Sequence, residues 1–154
     1  MRRENFDIHV SNTEWVAAGG EPSKPTVAIE FDGPSERLRS RLAGTEGTVI
    51  DADETDVNYR FHSDGPDGDG VLSVTNRITG DFVLELNADG EGVLEFIRAA
   101  RAYGDHTDED GRYRITVGQD GEQLLAHEKS TFLVYNDEGN LVRQHSLIPG
   151  GVEL

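Results

Sequence analysis

Hydrophobic residues recur at every second position in segment after segment of this chain, and that period constrains the fold more than any other feature. In "FDIHV", Phe6, Ile8 and Val10 fall on one side and Asp7 and His9 on the other; "TVAIEFD" repeats the pattern through Val27, Ile29 and Phe31. Such alternation marks half-buried strands, because successive side chains of an extended chain point to opposite faces. "VNYRF" follows with Val57, Tyr59 and Phe61 inward. "VLSVTNR" and "DFVLELN" flank "ITG", where Gly80 can supply the positive φ of a tight turn, so the pair forms a hairpin. "YRITV" passes through "GQDG" into "EQLLAHE", with Asp120–Gly121 as the turn signal. "TFLVY" passes through "NDEGN" into "LVRQHSLI", which Pro149 ends.

Two segments change to helical spacing. "DGPSERLRSRLAG" places Pro34 in a first turn, Leu38 and Leu42 on one face, and Gly44 at the stop. Arg37 and Arg41 stand four apart on another face, with Arg39 between them, and could grip an anion; pairing with carboxylates such as Asp32 and Glu36 is the plainer reading. "NADGEGVLEFIRAARAYG" is the stronger helix, with Asp89 as cap, Val93, Phe96, Ile97 and Ala100 as an apolar stripe, and Gly104 as stop. "SNTEWVAAGGEPSKP" is a glycine- and proline-rich loop in which Trp15 reads as a lid over the core edge. Strands in runs with two helices inserted predict an α+β fold, a largely antiparallel β-sheet of about eight or nine strands with two helices packed on it. No internal repeat or linker divides the chain, so one domain is expected over residues 1–154.

Composition limits the partners and the chemistry. Leu, Val, Ile and Phe make up about a quarter of the residues, enough to place the chain above the level at which disorder is expected. The formal net charge is −16, and only Lys24 and Lys129 are lysines. So acidic a chain repels itself in dilute buffer, whereas molar salt shortens the Debye length to about 3 Å. The acids are spread from Glu4 to Glu153 without a long run, which fits adaptation to a salt-rich cytosol better than an acidic tail for a basic partner. Nucleic acid is disfavoured as a ligand, since binding through counterion release weakens steeply in salt. "MRRENFDIHV" has no apolar core after its arginines, and no stretch is apolar enough to span a bilayer. A soluble, cytoplasmic protein with no membrane partner is expected.

The absence of cysteine removes thiolate catalysis and Cys-based metal centres. "DHTDEDG" and "SDGPDGDG" invite comparison with a calcium loop. With Gly111 as sixth residue of an EF-hand frame, His106 falls first and Val117 twelfth; with Gly70 sixth, Gly65 falls first and Asn76 twelfth. Essential ligands fail in both frames, so both segments read as acidic turns. Among the histidines, His9 and His62 lie on polar sides of their strands, while the faces of His127 and His145 are ambiguous. No HxH, HxxxH or HExxH spacing places two imidazoles together, and GxSxG, Walker and GxGxxG patterns are absent. No catalytic, cofactor-binding or metal residue is assigned, and no cofactor is expected.

Four phrases, "VTNRITGDFVLELN", "VLEFIRAARAYG", "STFLVYNDEGNLVRQHSLIPGGVEL" and the opening strand with "EWV", resemble a small family of haloarchaeal proteins of unknown function. The resemblance covers Phe6 to Leu154. It implies a salt-rich archaeal cytosol and carries no activity, cofactor or catalytic residue. The expected function is a non-catalytic interaction or assembly module. The alternative is a small hydrolase or isomerase whose site gathers His9 or His62 with acids from distant strands. A protein partner or a homodimer through the C-terminal tail is a further expectation: Val152 and Leu154 lie two apart in "PGGVEL", so an extended tail points both the same way, either onto its own subunit or onto a partner's strand edge.

Overall fold

A computed structural model describes residues 5–33, 35–43, 50–62, 68–106 and 111–148. The strands are β1 (Phe6–Ser11), β2 (Thr26–Phe31), β3 (Thr55–Phe61), β4 (Asp69–Asn76), β5 (Phe82–Asp89), β6 (Tyr113–Gln119), β7 (Glu122–Lys129) and β8 (Leu133–Tyr135); the helices are α1 (Trp15–Ala18), α2 (Ser35–Leu42) and α3 (Gly90–His106). The fold is α+β, with eight strands in two four-stranded sheets ordered β1-β2-β6-β7 and β5-β4-β3-β8. Each sheet is antiparallel except at one pair: β2 lies parallel to β6 and β3 parallel to β8. The chain therefore begins in the first sheet, builds three strands of the second, returns through α3, and crosses back for β8.

The alternation read from sequence is the alternation that is buried. Val57, Tyr59 and Phe61 face inward from β3, and Val27, Ile29 and Phe31 from β2. One continuous cluster of buried side chains joins both sheets to α2 and α3. Its centre is aromatic. Phe96 of α3 meets Tyr113 of β6 at 5.4 Å between ring centroids and Phe132, just before β8, at 6.1 Å. The tilted and edge-on arrangement suits the ring quadrupoles. Tyr113 donates its hydroxyl hydrogen to the Thr131 carbonyl at 2.6 Å, so its one polar atom is satisfied.

Local signals act as expected at several points. Asp89 caps α3, its carboxylate accepting the Gly92 N–H at 3.1 Å. Gly80 has φ 78°, and the Asp120–Gly121 turn has φ 53° and 80°. Three details differ. Residues 15–18, expected as loop, wind one helical turn closed by Gly19 at φ 71°. Gly104 does not stop α3, which runs on to His106; a Cβ there would lie 2.7 Å from the Arg112 side chain, so this glycine makes room for Arg112. "LVRQHSLI" is not a continuous strand. It touches β8 through a bridge at Leu141 and Phe132 through one at Leu147, with a 3-10 turn at Arg143–His145 between them. Ser146 explains the break: its hydroxyl donates to the Val142 carbonyl at 2.8 Å and accepts the Val134 N–H at 2.9 Å. A side chain thus takes a main-chain bond that a ladder would have used.

Candidate functional site

The inward set of the second sheet fixes an outward set, and among the described residues no helical side chain lines it. β3 turns Asn58 and Arg60 outward, with His62 just beyond its end; β4 presents Val71, Ser73 and Thr75; β5 contributes Phe82 and Glu85; β8 contributes Tyr135. Together they line a groove of about 520 Å³. The strand register brings Ser73 opposite both Asn58 and Glu85, and Arg60 opposite both Val71 and Tyr135. Two exposed or half-exposed rings, Phe82 and Tyr135, stand on the sheet's two edge strands, with hydrogen-bonding side chains between them.

Both ends of the groove are held by asparagine-capped turns. At one end, Asn76 Oδ1 accepts the N–H groups of Ile78 and Thr79 at 2.9 and 3.1 Å, and Asn76 N–H donates to the Asp81 carbonyl at 2.8 Å. At the other, Asn136 Oδ1 accepts the N–H groups of Glu138 and Asn140 at 3.0 and 2.9 Å, with Gly139 at φ 84°. Arg60 ties the second turn to the sheet by donating to the Asp137 carbonyl at 2.9 Å. Asn side chains of this kind imitate a backbone turn, which keeps such loops in one shape.

Beneath the groove, Tyr59 donates its hydroxyl hydrogen to the Ala88 carbonyl at 2.9 Å. Burial, and then the charges of Asp69 and Asp89, push its phenol well above the usual tyrosine range. Gly70 lets this ring lie flat against β4: a Cβ there would sit 2.3 Å from the Arg60 carbonyl and 2.5 Å from the Tyr59 hydroxyl.

The histidines are dispersed. His9 is exposed on β1 of the first sheet and His62 is exposed at the rim of the groove in the second, so the structure does not bring them together. His106 meets the edge of Trp15, which is half-buried near the end of α3 and donates its indole N–H to the Asn12 carbonyl at 2.6 Å. His145 lies in the 3-10 turn. His127 is half-buried on β7 with Nε2 2.9 Å from the Ile50 carbonyl; burial lowers its affinity for a proton, against the opposing pull of that carbonyl and of Asp51 and Asp53. Lys129, next on the same face, donates to the Thr55 carbonyl at 2.7 Å and is likewise pushed below the usual lysine range by burial. Among the described residues, His62 has no carboxylate within ion-pair distance.

The acidic link "TVIDADETD" ahead of β3 gathers three carboxylates. Asp51, Asp53 and Glu54 have carboxylate oxygens within 4.8 Å of one another, because the 3-10 turn at Ala52–Glu54 folds the acidic link back on itself. These three could hold a cation loosely, although two of them are exposed and such groups are common on acidic surfaces. Segments 63–67 and 107–110, expected as acidic turns, and residues 149–154 lie outside the described residues, as do the Arg37 and Arg41 side chains. Arg39 pairs with Glu122 of β7 at 3.1 Å, an exposed ion pair of the kind that contributes little.

The comparisons with known proteins bear on the whole chain. A family of unknown function, DUF5793, matches it over residues 1–154. The chain belongs to the DUF5793 family. No curated protein and no solved structure matches it significantly, so membership in DUF5793 brings no activity, substrate or partner with it. Among the described residues no helix is long and apolar enough to cross a membrane.

Proposed function

We propose that this DUF5793 chain is a non-catalytic interaction or assembly module of a salt-rich, haloarchaeal cytosol, and that the outer face of the β5-β4-β3-β8 sheet is its binding surface. One observation carries the reading: a concave face with an aromatic ring on each edge strand and polar groups between them. Aromatic anchors with adaptable hydrogen-bonding neighbours are the usual makings of a recognition surface. A net charge of −16 with two lysines in 154 residues supports the salt-rich setting.

The rival reading, a small hydrolase or isomerase, has one observation in its favour, since His62 lines the same groove as Glu85. The two separate by experiment. Hydroxyl-radical footprinting is run on the purified chain and on the chain in its native cell extract, both in molar KCl. The interaction reading expects Phe82 and Tyr135 to be protected in the extract alone. Equal labelling in both settings overturns it. A stoichiometric small molecule seen by native mass spectrometry, and lost in both His62→Ala and Arg60→Ala, establishes the enzyme reading instead.

A further inference from the structure

The outer edges of the two sheets are not alike. The ladders of β5 and β7 each carry a register shift, at Val74/Thr75 and Val117/Gly118. β8 is three residues long and is bridged at Tyr135 by Leu141. β1, by contrast, runs six residues against β2 without a shift and holds no lysine or proline. Irregular pairing, shortness, lysine and proline are the usual guards of an edge, because a bare row of N–H and C=O groups invites another strand. Among the described residues no strand pairs with the outer side of β1; β5 approaches it but pairs with β4. Past Phe6 every residue of β1 is exposed or half-exposed, Val10 to 40%.

The ladder fixes which groups face outward. Asp32 N–H donates to the Asn5 carbonyl at 2.7 Å, and hydrogen-bonded pairs alternate along an antiparallel ladder, so Asp7, His9 and Ser11 bond to β2. The other side of β2 agrees: Arg114 N–H donates to the Pro25 carbonyl at 2.9 Å, which leaves Thr26, Ala28 and Glu30 for β1. Phe6, Ile8 and Val10 therefore point their N–H and C=O groups away from the sheet. Two copies joined antiparallel through these groups place Asp7, Ile8 or His9 on the two-fold axis. Asp7 there faces its own copy, like charge on like, and His9 there faces another His9. Ile8 on the axis sets Asp7 opposite His9 twice, at non-hydrogen-bonded positions where side chains lie nearest, and sets Phe6 opposite Val10 twice. The segment "FDIHV" is thus complementary to itself when reversed. We infer that β1 is a homodimer interface, pairing antiparallel with β1 of a second copy about Ile8 and joining two four-stranded sheets into one continuous sheet. About six main-chain hydrogen bonds and two Phe6–Val10 contacts hold it, and the Asp7–His9 pairs set its register. Main-chain and apolar contacts persist in molar salt, which also screens the repulsion between two chains of charge −16. The groove lies on the other sheet, so neither reading rests on the other.

The test uses the full chain, which has no cysteine of its own, in molar KCl. Asp7→Cys and His9→Cys are made separately, each at an exposed side chain, and are oxidised alone and as an equal mixture. Residues at a non-hydrogen-bonded pair lie about 4.5 Å apart at Cα, within the span of a disulfide, whereas diagonal neighbours lie about 7–8 Å apart. The expected result is a disulfide-linked dimer of one variant with the other, and about ten-fold less linkage of either variant alone. Sedimentation equilibrium of the unaltered chain should show the mass rising with concentration toward twice 16.9 kDa, more steeply at ~1 M than at ~0.1 M KCl. Val10→Lys sets a guard on the edge and should raise the dimer Kd about ten-fold or more with circular dichroism unchanged. The inference is overturned by a mass that stays at 16.9 kDa up to ~1 mM chain, or by a dimer that Val10→Lys leaves as tight. It is also overturned if either cysteine variant links alone as readily as the mixture does. Should Val10→Lys alter the dichroism, the pattern of disulfide linkage decides.

Discussion

Replacing Phe96 by alanine tests whether the aromatic cluster is what joins the two sheets through α3. The ring is 1% exposed and touches Tyr113 of the first sheet and Phe132 beside the second. A buried aromatic side chain removes roughly 150–250 Å² from water, worth about 4–6 kcal/mol at ~25 cal/mol per Å² before alanine's own burial is subtracted. The cavity left behind adds to the loss, and the two ring contacts contribute up to about 1 kcal/mol each within it. The expected cost of Phe96→Ala is about 4 kcal/mol, a large share of the roughly 5–15 kcal/mol by which domains of this size are stable. Phe96→Leu keeps most of the volume and should lose about 1–2 kcal/mol. Urea unfolding in molar KCl, followed by far-ultraviolet circular dichroism, reads both from the shift in midpoint at constant slope. Phe96→Ala combined with Phe132→Ala should cost less than the sum of the single changes, because both remove the same contact. A loss below about 1 kcal/mol for Phe96→Ala, with strict additivity, would refute the claim that this cluster holds the layers together.

Three further outcomes are expected. Gly70→Ala drives a Cβ to 2.3 Å from the Arg60 carbonyl, a main-chain atom that cannot swing aside, and should cost about 3 kcal/mol or more; Gly20→Ala, whose nearest non-neighbouring atom is 3.6 Å away, should stay within about 0.5 kcal/mol by thermal melting. His127 binds a proton less readily folded than unfolded, so its contribution is intact above the unfolded value near pH 6.5 and is lost as pH falls through the lower folded one; the gap in urea midpoint between pH 7.5 and 5.5 (about one unit either side of that value) should therefore narrow in His127→Gln, and an unchanged gap removes His127 as the cause. The thermal midpoint should climb as KCl rises from ~0.1 M to above ~1 M, where screening of the −16 charge is nearly complete, and a flat or falling midpoint contradicts the salt-adapted reading.

Short-range chemistry was legible in the chain itself. Alternation in "VNYRF" and "TVAIEF" gives β3 and β2 because a strand's faces repeat every two residues, and one of them must leave water. Gly80 and Asp120–Gly121 give their hairpins because few residues tolerate a positive φ, and Asp89 gives the start of α3 because a free N–H needs an acceptor. Each of these depends on residues within a turn or two of one another. The division into two sheets, the parallel pairs β2–β6 and β3–β8, and the loss of a strand at Leu141–Ile148 belong to the tertiary structure. Parallel neighbours come from far apart in sequence, and the same apolar alternation serves either direction of pairing. The groove was hidden for the same reason. Asn58, Ser73, Thr75 and Glu85 read singly as the wet side of ordinary strands, and only the order β5-β4-β3-β8 sets them side by side. Asp51, Asp53 and Glu54 likewise meet only because a 3-10 turn brings their carboxylates together. Side-chain period and turn chemistry are properties of neighbours along the chain; a binding face is a property of neighbours across it, which long-range packing alone selects.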